Sequence, residues 1–273
     1  MSLLRKILLA NGLFSITTGL LSAVWASSLA GFLSIPTVVL YVIGPGVFVF
    51  GVALVWQAGH EPTDQRFALA ALGADIAWVA AAIVVLLVPG SMSGSGKLVL
   101  AGVSALVGLF AVLQIVGLVE ATRANPKILV TEVEIAADPT SVWSVLTDLE
   151  GFDDWNPFIT KGSGQIAVGE ALRLLMEPPG GRAMTFTPTV TEVTARGGLE
   201  WLGHLLRPGV FDGRHRFELE PIASGTRLTQ SETFTGFLVP ALARSLDSRT
   251  RAGFEAMNLA IKERVEVGSE GLA

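Results

Sequence analysis

The sequence contains no cysteine, only three histidines and few charged residues. The absence of cysteine excludes disulfides, thiol catalysis and cysteine-ligated metals. The three histidines, His60, His204 and His215, are too scattered to indicate a zinc site, and neither a metal nor a cofactor is predicted. Charged residues make up 16% of the chain, against roughly 25% in an ordinary soluble domain. Together with a mean hydropathy of +0.57, this excludes a protein that is soluble throughout.

The few charges are unevenly distributed. Of the 19 Lys and Arg, six lie in residues 1–127, and of the 24 Asp and Glu only four do. The first part of the chain is therefore slightly basic, and the remainder is acidic. Because neither part contains a basic cluster, no nucleic-acid partner is predicted.

Residues 1–125 contain apolar stretches of about 20 residues, the length that crosses the hydrocarbon core of a bilayer. They predict a bundle of four transmembrane helices. The cations at the helix ends collect on one side, with Lys97 as the exception. By the positive-inside rule we expect a multi-pass protein of a bacterial inner (plasma) membrane, with both termini in the cytoplasm. The predicted helices are Ile7–Leu29, Pro36–Gln57, Phe67–Pro89 and Leu98–Val119.

The first apolar stretch has a second interpretation. Arg5 and Lys6, the apolar run after them and the small residue Ala26 also resemble a secretory signal with its cleavage site. Its removal would leave three spans and place the cation-rich ends on conflicting sides of the membrane, which favours the four-helix interpretation.

Three polar side chains, Asn11, Asp75 and Gln114, interrupt the apolar stretches. An ionised carboxylate in mid-membrane costs about 2.5–3.5 kcal/mol, so Asp75 must face protein or water, or be protonated. One interpretation is that these residues link the helices by hydrogen bonds. The other is a path for protons or a solute.

After Pro126 the pattern changes to the period-two alternation of half-buried strands. It predicts a second domain at residues 126–268 and a flexible tail at 269–273. Asp138 and Pro139 predict the start of a short helix after the first strand. An antiparallel meander and one long C-terminal helix, Val239–Val267, follow. The strands are expected at 129–135, 159–165, 171–177, 183–194, 198–205, 210–221 and 225–235.

Short motifs accompany this order of elements: Val142-Trp143-x-x-Leu146-x-Asp148, Trp155-Asn156-Pro157-Phe158, His215-x-Phe217-x-Leu219-x-Pro221 and Gly225-Thr226-Arg227-Leu228-Thr229. In these motifs and in element order, the second half resembles the START-like polyketide cyclase/dehydrase superfamily, also called SRPBCC, which includes the birch-pollen allergen fold. The resemblance implies an α+β helix-grip domain, in which a curved antiparallel sheet surrounds a long C-terminal helix. It also implies an apolar cavity that holds lipids, polyketides or other hydrophobic molecules. The N-terminal half resembles small four-helix bacterial membrane modules only loosely.

Strand alternation indicates which side chains point into such a cavity. His215 and Glu232 share the inward parity of their strands, so they are the candidates for an acid–base pair. In the alternative interpretation they satisfy one another or orient the polar end of a ligand. The residues expected to contact a ligand are Trp143, Met184, Phe186, Leu199, Trp201, His215, Phe217, Gln230, Glu232, Phe254 and Met257.

Three functions compete at this point. The first is a membrane protein whose cytoplasmic domain binds a hydrophobic small molecule or lipid. The second is a cyclase- or dehydratase-type enzyme that acts through His215 and Glu232. The third is a transporter or sensor regulated by the soluble domain. The sequence lacks a nucleophile elbow and a glycine-rich nucleotide loop, which favours the first. It indicates neither the ligand nor an oligomeric state.

Overall fold

The computed structural model describes residues 1–270, with side chains as far as Val267. The chain forms two compact units, the first ending at Ala124 and the second beginning at Asn125. Among the described residues, α1, α3, α4 and α5 are long and apolar enough to cross a membrane. The helices of the first unit are α1 (Leu3–Val24), α2 (Ala26–Leu33), α3 (Thr37–Ala58), α4 (Gln65–Leu87) and α5 (Gly94–Ala124).

The first predicted helix, Ile7–Leu29, is in fact two helices. The α-helical conformation is interrupted at Trp25, and the short helix α2 ends at Ser34 in a left-handed conformation. The interruption allows Ala26 and Ala30 to be buried in a small cluster with Leu40 of α3. Hydropathy does not reveal this break because both sides of Trp25 are equally apolar.

Glycines bring α1 and α3 into backbone contact. A Cβ atom on Gly51 of α3 would lie 2.6 Å from the backbone nitrogen of Ile16 and 2.7 Å from the carbonyl oxygen of Gly12. A Cβ on Gly19 of α1 would lie equally close to the backbone of Phe48 and Gly44. Small residues permit this close approach of two membrane helices, which is the packing that dispersion forces favour in lipid.

Lys97, the exception in the cation pattern, has a local role. Its Nζ donates hydrogen bonds to the carbonyl oxygens of Leu86 and Val88, at 3.0 and 3.1 Å. These carbonyls belong to the end of α4, where a cation is favoured by the helix dipole and by carbonyls without helical partners. Lys97 therefore stabilises a helix end and need not reflect membrane orientation.

The second unit is an α+β domain with two antiparallel sheets and a long C-terminal helical segment. Asp138 begins its first helix as predicted, because its carboxylate accepts hydrogen bonds from the backbone of Thr140 and Ser141. A hydrogen bond from the hydroxyl of Ser141, together with these two backbone bonds, lowers the pKa of Asp138 to about 2. The elements are β1 (Lys127–Ile135), α6 (Pro139–Thr147), a 3₁₀ turn (Glu150–Asp154), β2 (Ile159–Ser163), β3 (Arg173–Met176), β4 (Met184–Phe186), β5 (Thr189–Thr194), β6 (Gly198–His204), β7 (Asp212–Ile222) and β8 (Gly225–Thr235).

The predicted single meander is divided. Strands β5 to β8 form a meander in a five-stranded sheet of order β1-β8-β7-β6-β5, and β2-β3-β4 form a second sheet. The division falls within the predicted strand 183–194, where Thr187 and Pro188 separate β4 from β5. Proline cannot donate to a ladder, which explains a strand break at this position. One isolated antiparallel bridge pairs Ala171, in the segment before β3, with Thr189 of β5.

The predicted long helix, Val239–Val267, is helical but not uniform. It comprises α7 (Val239–Ser245), a π turn (Leu246–Thr250) and α8 (Arg251–Glu270). The apolar face predicted for it is buried in the core, including Phe254, Met257 and Ile261. The predicted tail begins within the range of α8, and its residues 271–273 lie outside the described part of the chain.

The outer face of the large sheet carries paired charges. Although burial by itself raises the pKa of Glu200, hydrogen bonds from Thr191 and Arg214 hold it below its ordinary value. Arg216 contacts Glu192 and Glu218, each at 2.8 Å. The arginines on this face thus have acidic partners.

Candidate functional site

One row of inward side chains crosses the five-stranded sheet. In register, Leu129 is opposite Glu232, Glu232 is opposite His215, His215 is opposite Trp201, and Trp201 is opposite Val190. The row therefore places the imidazole between a carboxylate and an indole. The indole stacks on the imidazole, with ring centroids 5.0 Å apart.

A cavity of about 220 Å³ lies between the two sheets and α7. Most of its wall is apolar, with contributions from Phe158, Phe186 and Leu246. Its opening is marked by residues that line it and are also exposed, such as Arg182 and Met184. Apolar walls with a few placed polar groups are typical of small-molecule sites. The polar residues of the wall are Arg182, His204, His215, Glu232, Ser245 and Thr250.

The structure brings part of the predicted set to the cavity wall. The predicted residues that line the cavity are Met184, Phe186, Trp201, His215 and Glu232. The others do not line it: Leu199, Phe217, Gln230, Phe254 and Met257 are buried, and Trp143 packs against the core from α6. These residues lie in the core of the domain and not on the cavity wall, and contact between any of them and a ligand stays a prediction.

Whether an inward residue lines the cavity or lies in the core follows from its position along the strand. Gln230, Phe217 and Leu199 form a second inward row, parallel to that of His215. Helix α8 closes this row, since the Sδ atom of Met257 lies 3.6 Å from Nε2 of Gln230. Alternation identifies the face on which a side chain lies, but not whether a helix covers it.

His215 is held from both sides of its ring. Nε2 of Gln230 lies 3.1 Å from Nε2 of His215, and Oε2 of Glu232 lies 3.4 Å from Nδ1. When the amide donates to Nε2, the imidazole proton is on Nδ1 and points towards Glu232. The carboxylate side chain is 12% exposed, so it faces both His215 and the cavity. This arrangement can accept a hydrogen bond from a hydroxyl or amine of a ligand.

Several wall residues were not predicted from the sequence. A Cβ atom on Gly213 would overlap Oε1 of Glu232, so this glycine makes room for the carboxylate. Glycine inside a strand is a signal of such close approach and could have indicated it. Nδ1 of His204 lies 2.7 Å from Oδ1 of Asp212, a second imidazole–carboxylate pair near the opening. Within the described residues, no group of three or more His, Asp or Glu is arranged to hold a metal ion.

The predicted polar residues of the membrane helices meet in the first unit. Oδ2 of Asp75 on α4 accepts hydrogen bonds from Asn11 of α1 at 2.8 Å and from Gln114 of α5 at 2.6 Å. All three residues are buried, and Asp75 is only 4% exposed. The cluster therefore joins three helices through one carboxylate.

Comparison with known protein families identifies the second unit. The family model described as "Polyketide cyclase / dehydrase and lipid transport" matches residues 127–266, just over half of the chain. The chain belongs to this family. The family is the one that the sequence motifs led us to expect, and its polyketide cyclase/dehydrase domain here comprises the two sheets, the cavity and the C-terminal helical segment. No curated protein matches the chain.

Solved structures similar to the polyketide cyclase/dehydrase domain are distant in sequence. The ZhuI aromatase/cyclase from Streptomyces sp. R1128 is 21% identical, with a TM-score of 0.44 over 52% of this chain and 94% of that one. Protein NE0264 from Nitrosomonas europaea is 23% identical, with a TM-score of 0.40 over 50% and 95%. Protein TTHA0849 from Thermus thermophilus is 17% identical, with a TM-score of 0.44 over 52% and 99%.

Proposed function

We propose that this protein is a membrane-held binding protein, whose polyketide cyclase/dehydrase domain takes a hydrophobic small molecule or lipid into its cavity. The cavity carries the proposal, because its wall is largely apolar and its polar groups are few. An apolar molecule removes its surface from water there, at about 25 cal/mol per Å² buried. The four apolar helices give a reason for joining the two units, since a ligand of this kind concentrates in a bilayer.

The His215–Glu232 pair supports one second candidate, an enzyme of the cyclase or dehydratase type. An imidazole and a carboxylate that meet in a cavity can transfer a proton to or from a substrate. Two observations favour binding instead: the contact between them is 3.4 Å, and Gln230 occupies the other ring nitrogen. In the binding protein, this pair holds the polar end of the ligand.

A side chain placed in the cavity tests the proposal. The Cβ of a residue replacing Gly203 would meet only Pro188 at 3.6 Å and a carbonyl oxygen of Gly213 at 4.0 Å, so a larger side chain fits there. With Gly203→Leu in lipid nanodiscs, we expect crosslinking of a photoactivatable fatty acid to the cavity wall to fall at least about ten-fold, or 1.4 kcal/mol in affinity. Mass spectrometry of the crosslinked peptides of the full chain measures it.

Thr233→Leu is the matched control, because Thr233 lies on β8 between two inward residues and so faces away from the cavity. This variant should crosslink like the unaltered protein. Equal crosslinking in the Gly203 variant, or crosslinks confined to the first unit, would contradict the proposed function. Molecules that copurify with the chain should keep their mass on incubation with it. A mass change that disappears in His215→Ala and in Glu232→Gln would instead establish the enzyme.

For the orientation of the four helices across the membrane, we propose that both termini lie in the cytoplasm of a bacterial cell. The support is the cation pattern, whose exception, Lys97, has a separate local role at the end of α4. In intact cells, Gly94→Cys should react with a membrane-impermeant maleimide, whereas Thr63→Cys should react only after lysis. Gly94 is exposed and a Cβ there contacts nothing within 4 Å, so the substitution leaves the fold intact. The reverse labelling pattern would invert the topology.

A further inference from the structure

Two loops border the opening of the cavity. The first, residues 177–183, connects β3 and β4, and the second, residues 205–211, connects β6 and β7. Both contribute to the wall, through Pro178 and Arg182 in one and through Leu205 and Phe211 in the other. We refer to these two loops, together with Met184, as the rim.

Leu206 in the second loop is an unusual residue for its position. It is 89% exposed and has a φ of 65°, a conformation that bulky side chains rarely adopt. The loop around it is well anchored: both carboxylate oxygens of Asp212 accept from the backbone nitrogen of Gly209, at 2.9 and 3.0 Å. The fold thus holds an apolar side chain in solvent. Residues in such rarely populated backbone conformations cluster at functional sites.

The rest of the rim combines apolar surface with positive charge. Met184 is 47% exposed. Arg182 and Arg207 are exposed, and neither forms an ion pair with any residue in the described part of the chain. Glu177, at the base of the first loop, accepts a hydrogen bond from Thr160. The outer face of the sheet differs, since Arg214, Arg216 and Arg227 there all have glutamate partners.

We propose that the rim docks on the surface of a lipid bilayer that contains anionic headgroups. Leu206 and Met184 enter the interface, and the guanidinium groups of Arg182 and Arg207 bind phosphate oxygens. Exposed apolar residues beside arginines are suited to this surface. Burial of the apolar side chains in the interface and attraction between arginine and anionic lipid then act together. The four apolar helices of the same chain supply the bilayer.

Docking would place the opening of the cavity against the lipid from which a ligand comes. A molecule leaving the bilayer would pass from lipid directly into an apolar cavity without crossing water. The docking does not depend on the proposed function, because a lipid surface can be bound whether or not the cavity takes a ligand.

The absence of cysteine allows a clean experiment on the full chain. A Leu206→Cys variant is labelled with the fluorophore NBD and reconstituted in nanodiscs that contain phosphatidylglycerol. We expect blue-shifted emission and quenching by lipids that carry a nitroxide near the headgroup. The matched control is Val168→Cys, which is 66% exposed in the loop before β3, at the end of that strand away from the rim. Its label should remain unquenched.

The contribution of the two arginines to docking is measured separately. Replacing Arg182 or Arg207 by glutamine in the labelled protein should lower the ratio of docked to undocked molecules about five-fold for each arginine. Nanodiscs of phosphatidylcholine alone should reduce docking in the unaltered rim and abolish the effect of these substitutions.

Two results would overturn the proposal. One is a label at position 206 that is as water-exposed as the label at position 168. The other is a blue shift without quenching by the lipid nitroxide, which would mean that a second copy or another protein covers the rim. Fatty-acid crosslinking is measured on the same preparations. Loss of docking with crosslinking retained refutes docking alone, whereas docking without crosslinking refutes the proposed function alone.

Discussion

Gly51→Leu is expected to push α1 away from α3 and to destabilise the first unit. A Cβ at this position would already lie 2.6 Å from the backbone of Ile16, so the clash involves main chain that cannot rotate away. We expect the free energy of unfolding to fall by about 3 kcal/mol or more, at the upper end of the range for overpacking. Unfolding in detergent micelles, followed by circular dichroism, measures the change.

Gly46 provides the control on the same helix. Nothing lies within 4 Å of a Cβ at Gly46, which is exposed, so Gly46→Leu should leave the unfolding midpoint nearly unchanged. Equal midpoints for the two variants would show that α1 and α3 are not in backbone contact. A graded series, with Gly51→Ala less destabilising than Gly51→Leu, would locate the effect in side-chain volume.

Asp75→Leu is expected to lower the free energy of unfolding of the first unit by about 1–3 kcal/mol. The substitution removes the acceptor shared by Asn11 and Gln114 and leaves their amide hydrogens buried without it. Asp75→Asn retains an acceptor oxygen and nearly the same volume, so it should unfold close to the unaltered protein. The difference in the free energy of unfolding between the two variants, measured in the same micelles, gives the contribution of these hydrogen bonds.

The asparagine variant also separates the two interpretations of this cluster. If Asp75 only links helices, the Asn variant should match the unaltered protein in every functional assay as well as in stability. A stable Asn variant that has lost function would show that the protein requires a titratable group there. Equal stability of the Leu and Asn variants would contradict the structural role.

Sequence reasoning succeeded where one local rule determines the outcome. Asp138 followed by Pro139 predicted the start of α6, because capping depends on neighbouring residues alone. Alternation placed His215 and Glu232 on the inner face, and the strand register makes them direct neighbours. The polar residues Asn11, Asp75 and Gln114 were found from the cost of burying them in lipid.

The remainder depended on contacts that a single sequence does not encode locally. Phe217 and Gln230 have the same parity as the cavity residues, yet α8 covers them. Both sides of the break at Thr187 and Pro188 alternate, so the alternation continues across the boundary between the sheets, and only Pro188 marks that boundary in the sequence. Arg182 and Leu206 lie in loops without periodicity, and only the folded chain shows that they border one opening.

The pairing of β1 with β8 has a consequence for biosynthesis. Lys127 of β1 is opposite Phe234 of β8, so the first strand of the domain gains a neighbour only when the last has been made. At translation rates of about 5–20 residues per second, the hundred or so residues between them take roughly 5–20 s to emerge. During that interval the backbone of β1 has no neighbouring strand and its apolar side chains are uncovered. The nascent domain therefore completes its sheet only after its last strand has been made, which makes chaperone protection of β1 most valuable before Gly225 emerges.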